Sequence, residues 1–147
     1  MNLTVIQHDI KEWQMLSLEK NQLAAWWLGQ AGFALRYGDQ ALLIDPYLSD
    51  SLAKKYKGKT FSHERMMPIP VSPGILTELD WVLCTHRHTD HMDPETLGSI
   101  SQISSCRFFV PCAVLDHALE NTGLAVERTI CVNAGQTIKL SENISLH

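Results

Sequence analysis

Apolar residues in this chain fall first at helical intervals and then in short runs bounded by turn residues. Between Ile10 and Leu23, Trp13, Leu16 and Lys20, or Ile10, Trp13, Met15 and Leu16, lie at roughly helical spacing, which predicts a short amphipathic helix. Three runs follow, Ala24 to Leu28, Phe33 to Tyr37 and Ala41 to Ile44, separated by Gly29 to Gly32 and by Gly38-Asp39. Runs of that length between such turn residues predict strands joined as a β-meander. The neighbours Trp26 and Trp27 must then face opposite sides of the sheet, and we assign both to structural roles.

Residues 49 to 74 show no clear periodicity, and the prolines between Met66 and Gly74 predict an extended, docked segment leading to a helical turn around Ile75 to Leu79. Beyond it the pattern alternates. Trp81 to Thr85 reads as a buried strand, Pro94 to Ser104 as a helix, Arg107 to Val110 as a strand, Ala113 to Asn121 as a helix closed near Gly123, and Thr129 to Val132 as a strand. Thr137 to Leu140 and Ile144 to His147 then read as a hairpin across the turn Asn133 to Gln136. Strands alternating with helices imply an α/β architecture, a sheet covered by helices. No internal repeat or low-complexity segment interrupts it.

Composition narrows the class. With 147 residues, 45% of them hydrophobic and 19% charged, the chain suits one ordinary soluble domain. The net charge of −4 gives no reason to expect nucleic acid, which is held by a surplus of Lys and Arg. The first ten residues lack the apolar run of a signal peptide and no membrane span is visible, so a cytoplasmic protein without a membrane partner is expected. Cys84, Cys106, Cys112 and Cys131 form no Cys-x-x-Cys pair and are read as buried free thiols, with a Cys106–Cys112 disulfide as the lesser reading. Lys54, Lys55, Lys57, Lys59 and Arg65 concentrate positive charge in the aperiodic stretch. Such a loop invites a small anionic substrate or serves as a lid; the alternative is a solvated loop. His8, His63 and His117 are read as surface residues.

The chemistry concentrates in Cys84-Thr-His-Arg-His-Thr-Asp-His-Met-Asp-Pro94. His86, His88 and His91 offer imidazole nitrogens and Asp90 a carboxylate, a donor set suited to zinc, manganese or iron. On a strand, His86 and His88 would point to one side and grip one ion, while Asp90 and His91 would aim at a second as the chain turns into the helix. Two adjacent ions can activate a water and clamp the charge of a transition state. Asp93-Pro94 supplies a helix N-cap and first position. Asp45, at the end of an apolar run, needs a hydrogen-bonding partner or else merely opens an Asp-Pro turn.

The pattern His-x-His-x-Asp-His after an apolar strand resembles the signature of the metallo-β-lactamase superfamily. Trp26-Trp-Leu-Gly-Gln-Ala-Gly-Phe33 and Leu43-Ile-Asp-Pro-Tyr-Leu-Ser-Asp50 resemble the N-terminal motifs of the branch that includes L-ascorbate-6-phosphate lactonase. The resemblance implies an αβ/βα fold of which residues 1–147 form one apparently incomplete domain, its N-terminal half. It implies that Asp45 lies beside the metal loop and orients it, and that further ligands belong to a second half. A partner chain or a homo-oligomer would be one way of completing the site; His147 as a missing ligand is weighed against a structural role in the hairpin. The expected activity is metal-dependent hydrolysis with Zn or Mn, one ion or two, in which a metal-bound hydroxide attacks a sugar acid phosphate lactone and Asp90 takes part in proton transfer. A metal-dependent phosphodiesterase and a non-catalytic fragment or scaffold retaining the loop are the alternatives.

Overall fold

The computed structural model describes residues 10–19 and 21–147, without the side chain of Lys11. The expectations for His8 and Lys20 therefore lie outside the described residues. Strands β1 (Leu23–Gly29), β2 (Gly32–Tyr37) and β3 (Gln40–Ile44) form the expected antiparallel meander. Gly29 at φ 94° and Gln30 at φ 49° make the first turn, a backbone conformation that glycine adopts without strain. A short helix α1 (Ser51–Lys55) precedes β4 (Trp81–Leu83), after which α2 (Pro94–Ile103), β5 (Arg107–Pro111), α3 (Leu115–Thr122) and β6 (Thr129–Val132) alternate. One six-stranded sheet results, in the order β1-β2-β3-β4-β5-β6, with β3 to β6 parallel.

Parallel strands joined through helices need both faces covered. On one face Leu43, Val82, Phe108 and Val110 pack with Leu97, Ile100 and Ala118 from α2 and α3. On the other, Leu42, Trp81 and Phe109 are buried with apolar residues of the hairpin β7 (Ile138–Lys139) and β8 (Ser145–Leu146). Phe108, Phe109 and Val110 are consecutive and all buried, as a strand between two covered faces requires. This mixed α/β sheet is the expected fold class. Among the described residues no helix is long and apolar enough to cross a membrane.

Several elements depart from the sequence pattern. The N-terminal helix is only a 3-10 turn, Ile10–Met15. Trp13 is buried against Trp26, with ring centroids 6.5 Å apart. Arg36 Nη1 donates to the carbonyls of Trp13 and Gln14, at 3.4 and 2.5 Å, while the Trp13 carbonyl also takes the Leu16 N–H at 3.3 Å, so a 3-10 bond and the guanidinium share the acceptors a longer helix would use. Met15, counted on the apolar side, is 84% exposed. The turn expected around Ile75 to Leu79 is a 3-10 turn at Pro73–Ile75, and α1 forms where no periodicity was visible. Strand β4 ends at Leu83 rather than Thr85, because the Thr85 N–H turns from the sheet to the Asp45 carboxylate.

The cysteine reading needs correction. Cys84 and Cys106 are buried free thiols, but Cys112 and Cys131 form a disulfide. Register explains the pairing: Val110 lies opposite Cys131, so Cys112, just past the end of β5, sits beside β6. Nothing in the linear spacing reveals that adjacency.

Candidate metal centre

Asp45 leaves the end of β3 with φ 44° and is 4% exposed. Its N–H donates to the Leu83 carbonyl at 2.8 Å, fastening the ends of β3 and β4 together. Its carboxylate then reaches into the loop. Oδ1 accepts from the Thr85 N–H at 2.7 Å, and Oδ2 accepts from the Thr85 hydroxyl at 2.7 Å and from His91 Nδ1 at 2.8 Å.

These bonds fix two tautomers. A carboxylate only accepts, so His91 carries its proton on Nδ1 and presents a bare Nε2. Thr85 gives its hydroxyl proton to Asp45, so His86 Nδ1, 3.0 Å from Thr85 Oγ1, must donate to it. His86 likewise presents a bare Nε2. That atom lies 3.0 Å from His88 Nδ1. With His86 Nε2 unprotonated, His88 Nδ1–H donates to it, and loss of that proton would leave the two nitrogens near the roughly 3.3 Å separation of imidazoles sharing a tetrahedral zinc.

The loop achieves the pairing by turning, not by strand alternation. The N–H groups of His91 and Met92 both donate to the His88 carbonyl, at 2.9 and 2.8 Å, and this turn carries the His91 ring to 3.9 Å from that of His86. Asp90 Oδ2 lies 3.7 Å from His91 Nε2. Asp93, fully buried, closes the loop: it caps α2 through the Thr96 N–H at 3.1 Å and accepts the Ser51 hydroxyl at 2.7 Å. Thr96 Oγ1 also donates to Asp93 and accepts from the Leu48 N–H at 2.9 Å, tying the loop to the segment after β3.

The His86 ring has both His88 and His91 beside it, with centroids 4.7 and 3.9 Å away, and Asp90 lies beside His91. Among the described residues no group of three His, Cys, Asp or Glu side chains is assembled to hold an ion. Cys84 adds nothing: burial first, and then the charge of Asp45, pushes its thiol far above the usual range and keeps it protonated. His147 binds Thr137 Oγ1 through Nδ1 at 3.2 Å, within the hairpin. Thr85, which links Asp45 to His86, escapes a sequence reading because a single threonine carries no metal chemistry of its own.

The five basic candidates do not converge. Lys54 pairs with Glu95 at 2.6 Å, a bond that holds the ammonium pKa above its ordinary value. Lys55 and Lys59 lie over the Tyr56 ring, at 5.6 and 5.1 Å, and Lys57 is exposed. Arg65 stacks on Tyr47 at 4.9 Å and donates to its carbonyl at 2.6 Å, so it tethers its own loop. His63 is exposed against Tyr56, with ring centroids 4.3 Å apart.

A mixed sheet backed by helices, with a histidine-rich loop at the strand ends, defines a metallo-β-lactamase-like domain. Residues 25–142 match the Beta-lactamase superfamily domain, and the chain belongs to that family. It is 29% identical over 124 residues to a UPF0173 metal-dependent hydrolase of Caldivirga maquilingensis, covering 82% of this chain and 44% of that protein. An uncharacterized protein of Mycobacterium tuberculosis is 27% identical over 124 residues, covering 84% of this chain and 32% of its own length. The chain therefore spans less than half the length of these relatives. In fold it is similar to CmlA, a diiron β-hydroxylase from Streptomyces venezuelae, with a TM-score of 0.53 and 24% identity over 83% of this chain and 22% of that one.

Proposed function

We propose that this chain is the metal-holding part of a metal-dependent hydrolase, with His86 and His88 serving one divalent ion and Asp90 and His91 a second. The observation that carries the reading is the Asp45–Thr85 network, which leaves bare Nε2 atoms on His86 and His91. A loop serving only as a solvated connection has no need of two histidines fixed in their ligating tautomers. Imidazole and carboxylate donors suit Zn or Mn. When bound, such ions activate water and stabilise the oxyanion formed at a carbonyl. Asp45 would position the histidines, and Asp90, partly exposed at the loop surface, would accept a proton from the attacking water. The name of the Caldivirga relative, a metal-dependent hydrolase, supports the reaction class.

For the substrate we propose a lactone of a sugar acid phosphate such as L-ascorbate 6-phosphate. Support comes from the motifs at Trp26 to Phe33 and Leu43 to Asp50.

The test is equilibrium dialysis against Zn or Mn, followed by turnover of a phosphorylated lactone and of a phosphodiester. Wild-type protein is expected to retain metal, and His86→Ala to lose at least tenfold in affinity, the range seen when ligand geometry is disturbed. Equal metal content in both proteins removes the assignment. Cleavage of the phosphodiester alone turns the reading to a phosphodiesterase, and retained metal without turnover of either turns it to a non-catalytic metal module.

A further inference from the structure

One pocket borders the metal loop. It measures about 320 Å³, and Ser51, Lys55, Thr89, Met92, His117 and Asn121 are among the residues that line it. Thr89 stands between His88 and Asp90, so the pocket shares a wall with the candidate metal centre. No carboxylate lines it. Lys54, the neighbour of Lys55, takes Glu95 in its ion pair, and among the described residues Lys55 has no ion-pair partner.

The hydrogen bonds around the pocket decide which groups remain free to bind. The Ser51 hydroxyl proton is taken by Asp93. Asn121 Nδ2 donates to the His117 carbonyl at 2.9 Å and lies 3.3 Å from His117 Nδ1. An amide nitrogen only donates, so His117 Nδ1 accepts and its Nε2 keeps the proton as a donor. Among the described residues, three N–H or O–H groups of lining residues have no hydrogen-bond acceptor: the Lys55 ammonium, which lies 5.6 Å from the Tyr56 ring centroid, the His117 Nε2–H and the Thr89 hydroxyl. They come from α1, α3 and the metal loop, three separate elements bordering one space.

We infer that this pocket is an oxyanion subsite, in which Lys55, His117 and Thr89 hold the phosphate of a substrate while its reacting end lies at the metal loop. Three donors from three directions suit a tetrahedral oxyanion, which offers each its own oxygen. The volume exceeds that of a phosphate and leaves room for the carbon that carries it. Charge points the same way, since a lysine without an ion-pair partner at the wall of a pocket, in a protein of net charge −4, is a local attractor for anions. That the phosphate belongs to a substrate rests on the hydrolase reading; the capacity of the pocket for an oxyanion does not.

Inorganic phosphate titrated into the chain stripped of metal tests the site apart from the metal, with backbone amide shifts as the readout. Saturable shifts are expected at Lys55, Thr89 and His117, with at least tenfold weaker binding in Lys55→Met and at least threefold weaker binding in His117→Phe. Lys139→Met, a charge-matched change on exposed β7, should bind phosphate as the wild type does. Acetate serves as a second arm: binding as tight as that of phosphate would make the subsite one for carboxylates and overturn the phosphate assignment. Shifts confined to other residues, or the same weakening in Lys139→Met, would overturn the site itself. If the chain fails to retain metal yet binds phosphate at Lys55, the hydrolase reading falls and the subsite stands. If it retains metal and ignores phosphate, the reverse holds.

Discussion

At the residue scale the site turns on Asp45, whose carboxylate takes three hydrogen bonds from Thr85 and His91. Asp45→Ala strands these donors and places alanine at φ 44°, where aspartate and asparagine are better tolerated. Thr85 is exposed and His91 half-buried, so water replaces part of each bond, and at about 0.5–1.5 kcal/mol net per hydrogen bond urea denaturation should show a loss of about 1–3 kcal/mol. Asp45→Asn keeps the backbone conformation and should lose less. In both variants the proton on His91 is no longer fixed to Nδ1, which imidazole 15N shifts would reveal; an unchanged His91 tautomer would remove Asp45 from its positioning role. Cys84 adds a pH effect. Its thiol is raised by burial, so the stability it supports is fully present below the unfolded thiol pKa of about 8.5 and is lost as pH rises above that value. Cys106 is raised for the same reason. Denaturant midpoints should therefore fall above about pH 8.5, and native protein should react with thiol reagents at neither cysteine until unfolded. The density of histidine and aspartate made the loop visible in the sequence. Thr85 was invisible, because its part depends on where Asp45 lies across the sheet.

At the scale of elements, the loop is held by what precedes and follows it. Gly32 opens β2, and a Cβ built there would stand 2.9 Å from the Asp45 carbonyl oxygen, a backbone atom with nowhere to yield. Gly32→Ala should cost about 1–3 kcal/mol, the range for overpacking. Because the displaced atom belongs to Asp45, the variant should also lose metal. Gly38→Ala is the contrast: φ is +60° but nothing lies within 4 Å, so about 1 kcal/mol of backbone strain is expected with metal retention unchanged. Equal metal loss in both variants would show that general destabilisation, and not the Asp45 contact, is responsible. The start of α2 was legible because Asp93-Pro94 is a local signal, and the structure shows its cap. The 3-10 turn at Ile10–Met15 was not, since Arg36, more than twenty residues away, helps to end it. Local periodicity reports which residues favour a helix. It cannot report a distant guanidinium that shares the helix's carbonyls.

At the scale of the whole molecule, among the described residues β6 is an edge strand of the sheet and pairs with β5 alone, so its attachment decides how the far side of the core holds together. Strand order was not legible in the sequence, although the alternation of strands and helices suggested a covered sheet. The disulfide follows from that order, because the parallel β5–β6 register brings Cys112 beside Cys131. The two cysteines are 19 residues apart. Closing a loop of that size removes unfolded-chain entropy worth about 3 kcal/mol in the chain-entropy model. Reduction with a dithiol, or Cys112→Ser with Cys131→Ser, should therefore lower Tm by roughly 6–12 °C, at about 2–4 °C per kcal/mol for a domain of this size. Hydrogen exchange should accelerate first in β6, while the amides of Asp45, at the end of β3, and of His91, in the loop after β4, keep their protection. Metal retention after reduction shows how far the effect reaches. If it persists, the disulfide is a clamp on the sheet edge alone. If Tm is unmoved and exchange in β6 is unchanged, the bond contributes nothing that the packing of Ile130 and Val132 against the second core does not already supply.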